Sequence, residues 1–190
     1  MLFLDYLNEW VQVHKASIQP ATFISYNRMI TGRITQYFEP LGLKLCEVTP
    51  QVLDEFQEKI LLEGYTTNTV IHYHAIFGKA FKDAVRKDYL GTNPMLKVDR
   101  PKKNSFRPNF YSKDEVQQLL EVSQDDPLHL CILITAYYGL RRSEVLGLKW
   151  SSIDFERKSI TINHKVTEQL VNGKYVPVVS DVMKNKTSCR

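Results

Sequence analysis

The stretch at 138–150, Y-G-L-R-R-S-E-V-L-G-L-K-W, holds the residues with the most chemical potential in the chain. An apolar run ends at Gly139, and Arg141 falls at the turn into the next helical segment with Glu144 three residues on. At that spacing the two side chains meet on one helix face. A guanidinium is a planar fork of donors that fits a carboxylate or a phosphate. Two readings follow: an Arg141–Glu144 ion pair pinning a helix junction, or an arginine braced by Glu144 and offered to a phosphate. A second cationic set, Lys79, Lys82 and Arg86, is spaced i, i+3 and i+7, so its side chains share a face, with Lys87 beside them. Asp83 and Asp88 lie among them and dilute their field; the set reads as a solvated face or as a contact to a nucleic-acid backbone. A third set, Arg100, Lys102, Lys103 and Arg107, lies within eight residues that contain no acid. That run reads as a plain solvated connector or as a strip that neutralises phosphates.

Metal chemistry is not expected. His72 and His74 are two apart on a helical segment and face different directions. Cys46, Cys131 and Cys189 are odd in number, far apart and without C-x-x-C spacing, which argues against disulfides and zinc.

The elements that must position these groups divide at about residue 100. In 1–96, four amphipathic helices are expected. The first carries Phe3, Leu4, Leu7, Trp10 and Val11 on one face; the second starts near Pro20 and runs through Phe23, Tyr26, Ile30, Ile34 and Phe38. The third is capped by Thr49 and ended by Gly64; the fourth is capped by Thr66 or Thr67, striped from Val70 to Val85, and closed by Gly91 and Pro94. Residues 97–109 hold two prolines and five basic residues, so they read as an interdomain linker with no core-facing element. In 110–190 the pattern becomes mixed. Ser112 and Glu115 form a capping box, 128–138 reads as a helix buried on most sides, and Arg142 to Leu148 as a short helix. After Trp150 the period becomes two: Ile153 and Phe155, then Ile160 and Ile162, predict strands with one buried face. Two further strands flank Asn172-Gly173, a strong hairpin signal. The fold expected is mainly α with a small antiparallel β-sheet.

A chain of 190 residues, 43% hydrophobic and 24% charged with 8 Gly and 8 Pro, is neither disordered nor fibrous. No apolar run approaches the roughly 20 residues that cross a bilayer, so no membrane partner and a cytoplasmic location are expected. The net charge of +4 leans only weakly toward a polyanion. Its distribution says more: up to Lys97 ten basic residues balance ten acidic ones, so the whole excess lies in the second half.

The string G-L-R-R-S-E-V-L-G-L-K-W followed by S-S-I-D closely resembles the first conserved arginine box of tyrosine recombinases, especially integrases of phages and conjugative transposons. Thr22 to Tyr26 as T-x-x-x-Y, Asn93-Pro94, the Y-S-K-D-E-V segment from Tyr111 and the terminal K-N-K-T-S-C-R fall in family order, so the resemblance covers essentially the whole chain. It implies a SAM-like helical core-binding domain at 1–96 that grips one side of double-stranded DNA. It also implies the first part of an α+β catalytic domain at 110–190. The implied function is site-specific recombination and integration of a mobile element. In that chemistry a tyrosine attacks the scissile phosphate to give a 3′-phosphotyrosine, arginines stabilise the non-bridging oxygens, and no cofactor is used. Arg141 matches the first arginine, with Glu144 supporting it. Lys186 matches the lysine that protonates the departing 5′ oxygen; Lys184 is the alternative, and either is otherwise an ordinary hairpin cation. Lys79, Lys82, Arg86, Lys87, Arg100, Lys102, Lys103 and Arg107 would contact the DNA backbone.

The family's second box, H-x-x-R, has no match, and none of the ten tyrosines occupies the nucleophile's position. The chain therefore reads as a DNA-binding fragment that is inactive by itself. Full-length family members act as tetramers on DNA; this fragment is expected as a monomer or weak dimer, its second half partly molten or self-associating. The alternative is a non-catalytic DNA-binding or regulatory module derived from an integrase.

Overall fold

The computed structural model describes residues 1–105, 107–171 and 174–180. The chain forms two compact units, 1–106 and 107–190.

In the first unit, α1 (Phe3–His14) buries Phe3, Tyr6, Leu7, Trp10 and Val11, the face its spacing predicts. α2 (Pro20–Met29) starts on its proline but does not run straight to Phe38. A π-helical stretch, Ile30–Ile34, intervenes with Gly32 outside helical geometry (φ −93°, ψ −111°), before α3 (Thr35–Phe38). The Ile30 carbonyl accepts the Thr35 backbone N–H across this wider turn and also Thr35 Oγ1 at 2.7 Å. Ile30, Ile34 and Phe38 are all buried on either side of it.

α4 (Pro50–Leu62) has Thr49 as its cap, and Gly64 past its end takes φ +87°. α5 (Thr67–Arg86) is capped by Thr66. Its stop is not at Gly91. Asp88 adopts φ 59°, the Tyr89 N–H returns to the Ala84 carbonyl at 2.9 Å and the Asp88 N–H to Val85 at 3.1 Å. That is the bonding pattern usually built on glycine, and a short polar side chain can also occupy it.

The core between these helices is aromatic. Phe3, Phe38, Phe56, Phe77 and Phe81 are each at most 2% exposed, with Phe3 stacked on Phe81 at 5.4 Å and Phe56 against Phe77 at 5.4 Å. Each such burial stabilises by about 1.5–3 kcal/mol. The Tyr6 hydroxyl donates to the Ala80 carbonyl at 2.6 Å, and burial, then Asp83, pushes the phenol up to about 12. Met95 and Val98 also belong to this core. The segment expected as a linker from residue 97 therefore does contribute a core-facing side chain, Val98, because the Asn93 side chain caps a short turn that folds it back.

In the second unit, α6 (Lys113–Val122) has the expected capping box: Ser112 N–H donates to Glu115 Oε2 at 2.7 Å, which holds the Glu115 carboxyl below its usual range. α7 (His129–Tyr138) contradicts the expectation of a helix buried on most sides. None of its residues is buried, and Leu130, Tyr137 and Tyr138 are more than half exposed. Among the described residues α6, α8 (Arg142–Val145) and narrow strands cover too little of it; an apolar run shows that a helix needs cover, and does not supply it. Val116, Leu119, Leu128, Cys131, Ile132 and Val145 line an open apolar groove of about 570 Å³. Among the described residues the buried cluster is small: Leu140, Val145 and Ile162.

α8 is one turn, shorter than the segment to Leu148 suggested. β1 (Ile153–Asp154) pairs antiparallel with β2 (Ser159–Ile160), and β3 (Lys165–Val171) with β4 (Lys174–Ser180), as two separate sheets. Ile162 is buried as its alternation predicts, but Phe155 is 74% exposed, since β1 ends before it. Asn172-Gly173 lies outside the described residues, between the paired Val171 and Lys174. The fold is mainly α with small antiparallel sheets, as the sequence indicates.

Candidate nucleic-acid interface

The junction of α7 and α8 explains how Arg141 is presented. α7 ends on Gly139 in the left-handed region (φ +60°), its N–H bonded to the Thr135 carbonyl at 2.9 Å. Leu140 then turns inward, 6% exposed, and anchors the bend. Arg141 is extended (φ −73°, ψ 151°) and starts α8. Glu144 Oε2 accepts the Arg141 backbone N–H at 3.0 Å, and Oε1 accepts Nη1 at 2.7 Å. One carboxylate thus fixes both ends of the arginine. The Glu144 side chain is 3% exposed and that of Arg141 68%. A buried carboxylate needs such pairing, while most of the fork still faces solvent, where a phosphate could meet it. The ion pair expected of these residues forms, and it leaves the guanidinium outward.

Gly147 was not singled out from the sequence. It is buried, and a β-carbon there would stand 2.6 Å from Lys165 Cα and 2.8 Å from Lys165 N. The start of β3 therefore crosses directly over the end of α8, and only glycine permits that approach. Lys186 and Lys184 lie outside the described residues.

On α5, Lys79, Lys82, Arg86 and Lys87 are all exposed. They are not equivalent. Arg86 Nη2 is 2.8 Å from Asp83 Oδ1, and Asp83 Oδ2 accepts Trp10 Nε1 at 3.1 Å and lies 2.8 Å from His14 Nε2. Asp83 is thus the hub of a polar cluster joining α1 to α5. Its signal in the sequence was its place, three residues after Ala80 and seven after Ile76, on the flank of the apolar stripe. Lys79 Nζ donates to Tyr26 Oη at 2.7 Å.

Arg100, Lys102 and Lys103 are exposed in the first unit, and Arg107 is exposed in the second. Arg100 acts on His74 of α5. Burial first, then this guanidinium, holds the imidazole below its ordinary 6.5, with Asp54 opposing. The buried His74 Nδ1 has no hydrogen-bond partner among the described residues. Because the folded state resists the proton, the contribution of neutral His74 to stability is full above pH 6.5 and falls away below it, toward the depressed folded value. In urea unfolding from pH 5 to 8, His74→Gln is expected to flatten the stability profile below pH 6.5 relative to the parent. Parallel profiles would contradict this.

Among the described residues no group of three or more His, Cys, Asp or Glu side chains is placed to hold a metal, and no helix is long and apolar enough to cross a membrane.

The phage integrase SAM-like domain model matches residues 2–100, and the phage integrase family model matches residues 109–187. The chain belongs to the phage integrase family, the tyrosine recombinases. Among curated integrase relatives, it is 26% identical over 201 residues to a tyrosine recombinase XerC-like protein of Caldanaerobacter subterraneus subsp. tengcongensis, covering 98% of this chain and 50% of that protein. It is 24% identical over 174 residues to the ICEBs1 integrase of Bacillus subtilis, covering 90% and 45%. The chain thus spans about half the length of these recombinases. Among solved integrases, the Tn1549 transposon integrase in complex with circular intermediate DNA superposes with TM-score 0.75 at 20% identity, over 94% of this chain and 59% of that one. A lambda integrase dimer bound to a COC′ core site gives 0.72 at 18%, over 94% and 62%. At these identities the likeness is one of fold.

Proposed function

We propose that this chain binds duplex DNA through its cationic sets and presents Arg141 to a phosphate at a recombination site, in the integration of a mobile element by a tyrosine recombinase. The observation that carries the reading is the Arg141 guanidinium, 68% exposed yet fixed at 2.7 Å by a buried Glu144. An exposed donor fork that has already lost its freedom loses little more on meeting a phosphate. Solved integrases of the same fold are described as bound to DNA, and lambda integrase as a tetramer on a Holliday junction, which supports a DNA partner.

In this reading residues 1–96 form the core-binding domain and 110–190 the beginning of the catalytic one. The connector starts after Val98 and carries Arg100, Lys102, Lys103 and Arg107 along the DNA backbone. Lys186, or Lys184 two residues before it, donates the proton to the leaving oxygen. The site of action is the cytoplasm, with the DNA. These 190 residues hold duplex without cutting it, because they contain no H-x-x-R and no tyrosine at the nucleophile's position.

A salt titration of duplex binding tests this. The log–log slope is expected to be steep, about −0.9 per neutralised phosphate, and Arg141→Ala is expected to lower it by about one contact. A nicked core-site duplex is expected to give no covalent protein–DNA adduct. An adduct would overturn the inactive reading, and salt-independent or absent duplex binding would favour a regulatory module instead.

A further inference from the structure

Lys79 and Tyr26 come from different helices, 53 residues apart, and meet at 2.7 Å. The ammonium lies 5.3 Å from the ring centroid. Taken together, these distances put it beyond the hydroxyl, at the ring's edge, and not over the face where a cation–π contact would hold it. The contact is therefore a hydrogen bond from Nζ to a phenolic oxygen. That oxygen, having accepted, keeps its own hydrogen to give, and Nζ retains two more.

The pair is held from behind. The Tyr26 ring is half-buried and stacks on Trp10 at 6.0 Å with an interplanar angle of 21°. Trp10, 3% exposed, is in turn tied through Nε1 to Asp83 at 3.1 Å. A lysine side chain ordinarily surrenders up to about 2 kcal/mol of rotamer entropy when it is fixed by a ligand. Here part of that ordering is already done, since the Tyr26 hydroxyl cannot follow the ammonium far without leaving Trp10.

We propose that Tyr26 and Lys79 act as one anion-contact unit, in which the tyrosine positions the ammonium and its own O–H joins in holding a single DNA phosphate. The inference rests on the duplex-binding reading. It assigns Tyr26 as a positioning and contact residue. It also ranks the α5 cations: Lys79 is pre-set for an anion by a neutral partner, whereas Arg86 faces one already occupied by the Asp83 carboxylate 2.8 Å away.

The test is a double-mutant cycle on the full 190-residue chain, with Tyr26→Phe, Lys79→Ala and the double variant, measuring duplex affinity and its salt dependence. Phenylalanine keeps the ring on Trp10. Tyr26→Phe is expected to weaken binding about tenfold with little change in slope, as loss of a hydrogen bond to a charged group does. Lys79→Ala is expected to weaken it similarly and to lower the slope by about 0.9. In the Lys79→Ala background, Tyr26→Phe is expected to cost less than about twofold, because the two act on one phosphate. Equal Tyr26→Phe penalties in both backgrounds, or a change in thermal unfolding with unchanged affinity, would overturn the proposal and leave a mere tether between α2 and α5. Absence of salt-dependent binding in the parent chain would overturn it through the duplex-binding reading; failure of the cycle in a chain that binds would overturn it alone.

Discussion

Asp83→Ala is expected to lower the stability of the first unit by about 3 kcal/mol. The carboxylate is 14% exposed, and its Oδ2 is shared by Trp10 Nε1 and His14 Nε2 while Oδ1 meets Arg86. Alanine takes the carboxylate from two groups on α1, Trp10 Nε1 and His14 Nε2, at once. The loss corresponds to roughly 15 °C or more in Tm for a domain of this size. Asp83→Asn should be milder, about 1 kcal/mol, since an amide oxygen in the Oδ2 position still serves Trp10 and His14 and only Arg86 faces the wrong group. Thermal unfolding followed by circular dichroism distinguishes the two. Equal losses for Ala and Asn would show that charge alone matters there, and a shift of a degree or two for Ala would show that Asp83 is no hub.

Gly147→Ala is expected to destabilise the second unit by about 2–3 kcal/mol. The added carbon would sit 2.6 Å from Lys165 Cα and 2.9 Å from the His164 carbonyl carbon. These are backbone atoms, so β3 must move, and with it the strand pairing that follows the Arg141 turn. Among the described residues the buried cluster of this unit holds Leu140, Val145 and Ile162, leaving little to absorb the loss. Gly78→Ala is the control: Gly78 lies inside α5 with nothing within 4 Å of the place a β-carbon would take, so the same change should stabilise by about 0.5–1 kcal/mol. Opposite signs in chemical denaturation are the expected result; a neutral Gly147→Ala would mean that the crossing of β3 over α8 can yield freely.

Much of this architecture was written locally. The starts of α2, α4, α5 and α6 follow Pro20, Thr49, Thr66 and Ser112, because a cap or an N-terminal proline acts on donors within three residues of itself. The Arg141–Glu144 pair was legible for the same reason: three residues along a helix fix a distance without reference to anything else. Helix ends were less so. α5 is stopped at Asp88 and not at Gly91, since what matters is which residue finds the left-handed geometry tolerable when the return bonds form.

Sequence alone determined the family, the helical class and the Arg141–Glu144 spacing, since motif order, periodicity and short spacings are properties of the chain taken a few residues at a time. Only the tertiary structure decided that α7 lies open, that Val98 folds into the core, that Gly147 lies beneath β3, and that Tyr26 meets Lys79 across 53 residues. Those facts depend on which surfaces arrive opposite one another once the helices pack, and no interval along the chain measures that distance.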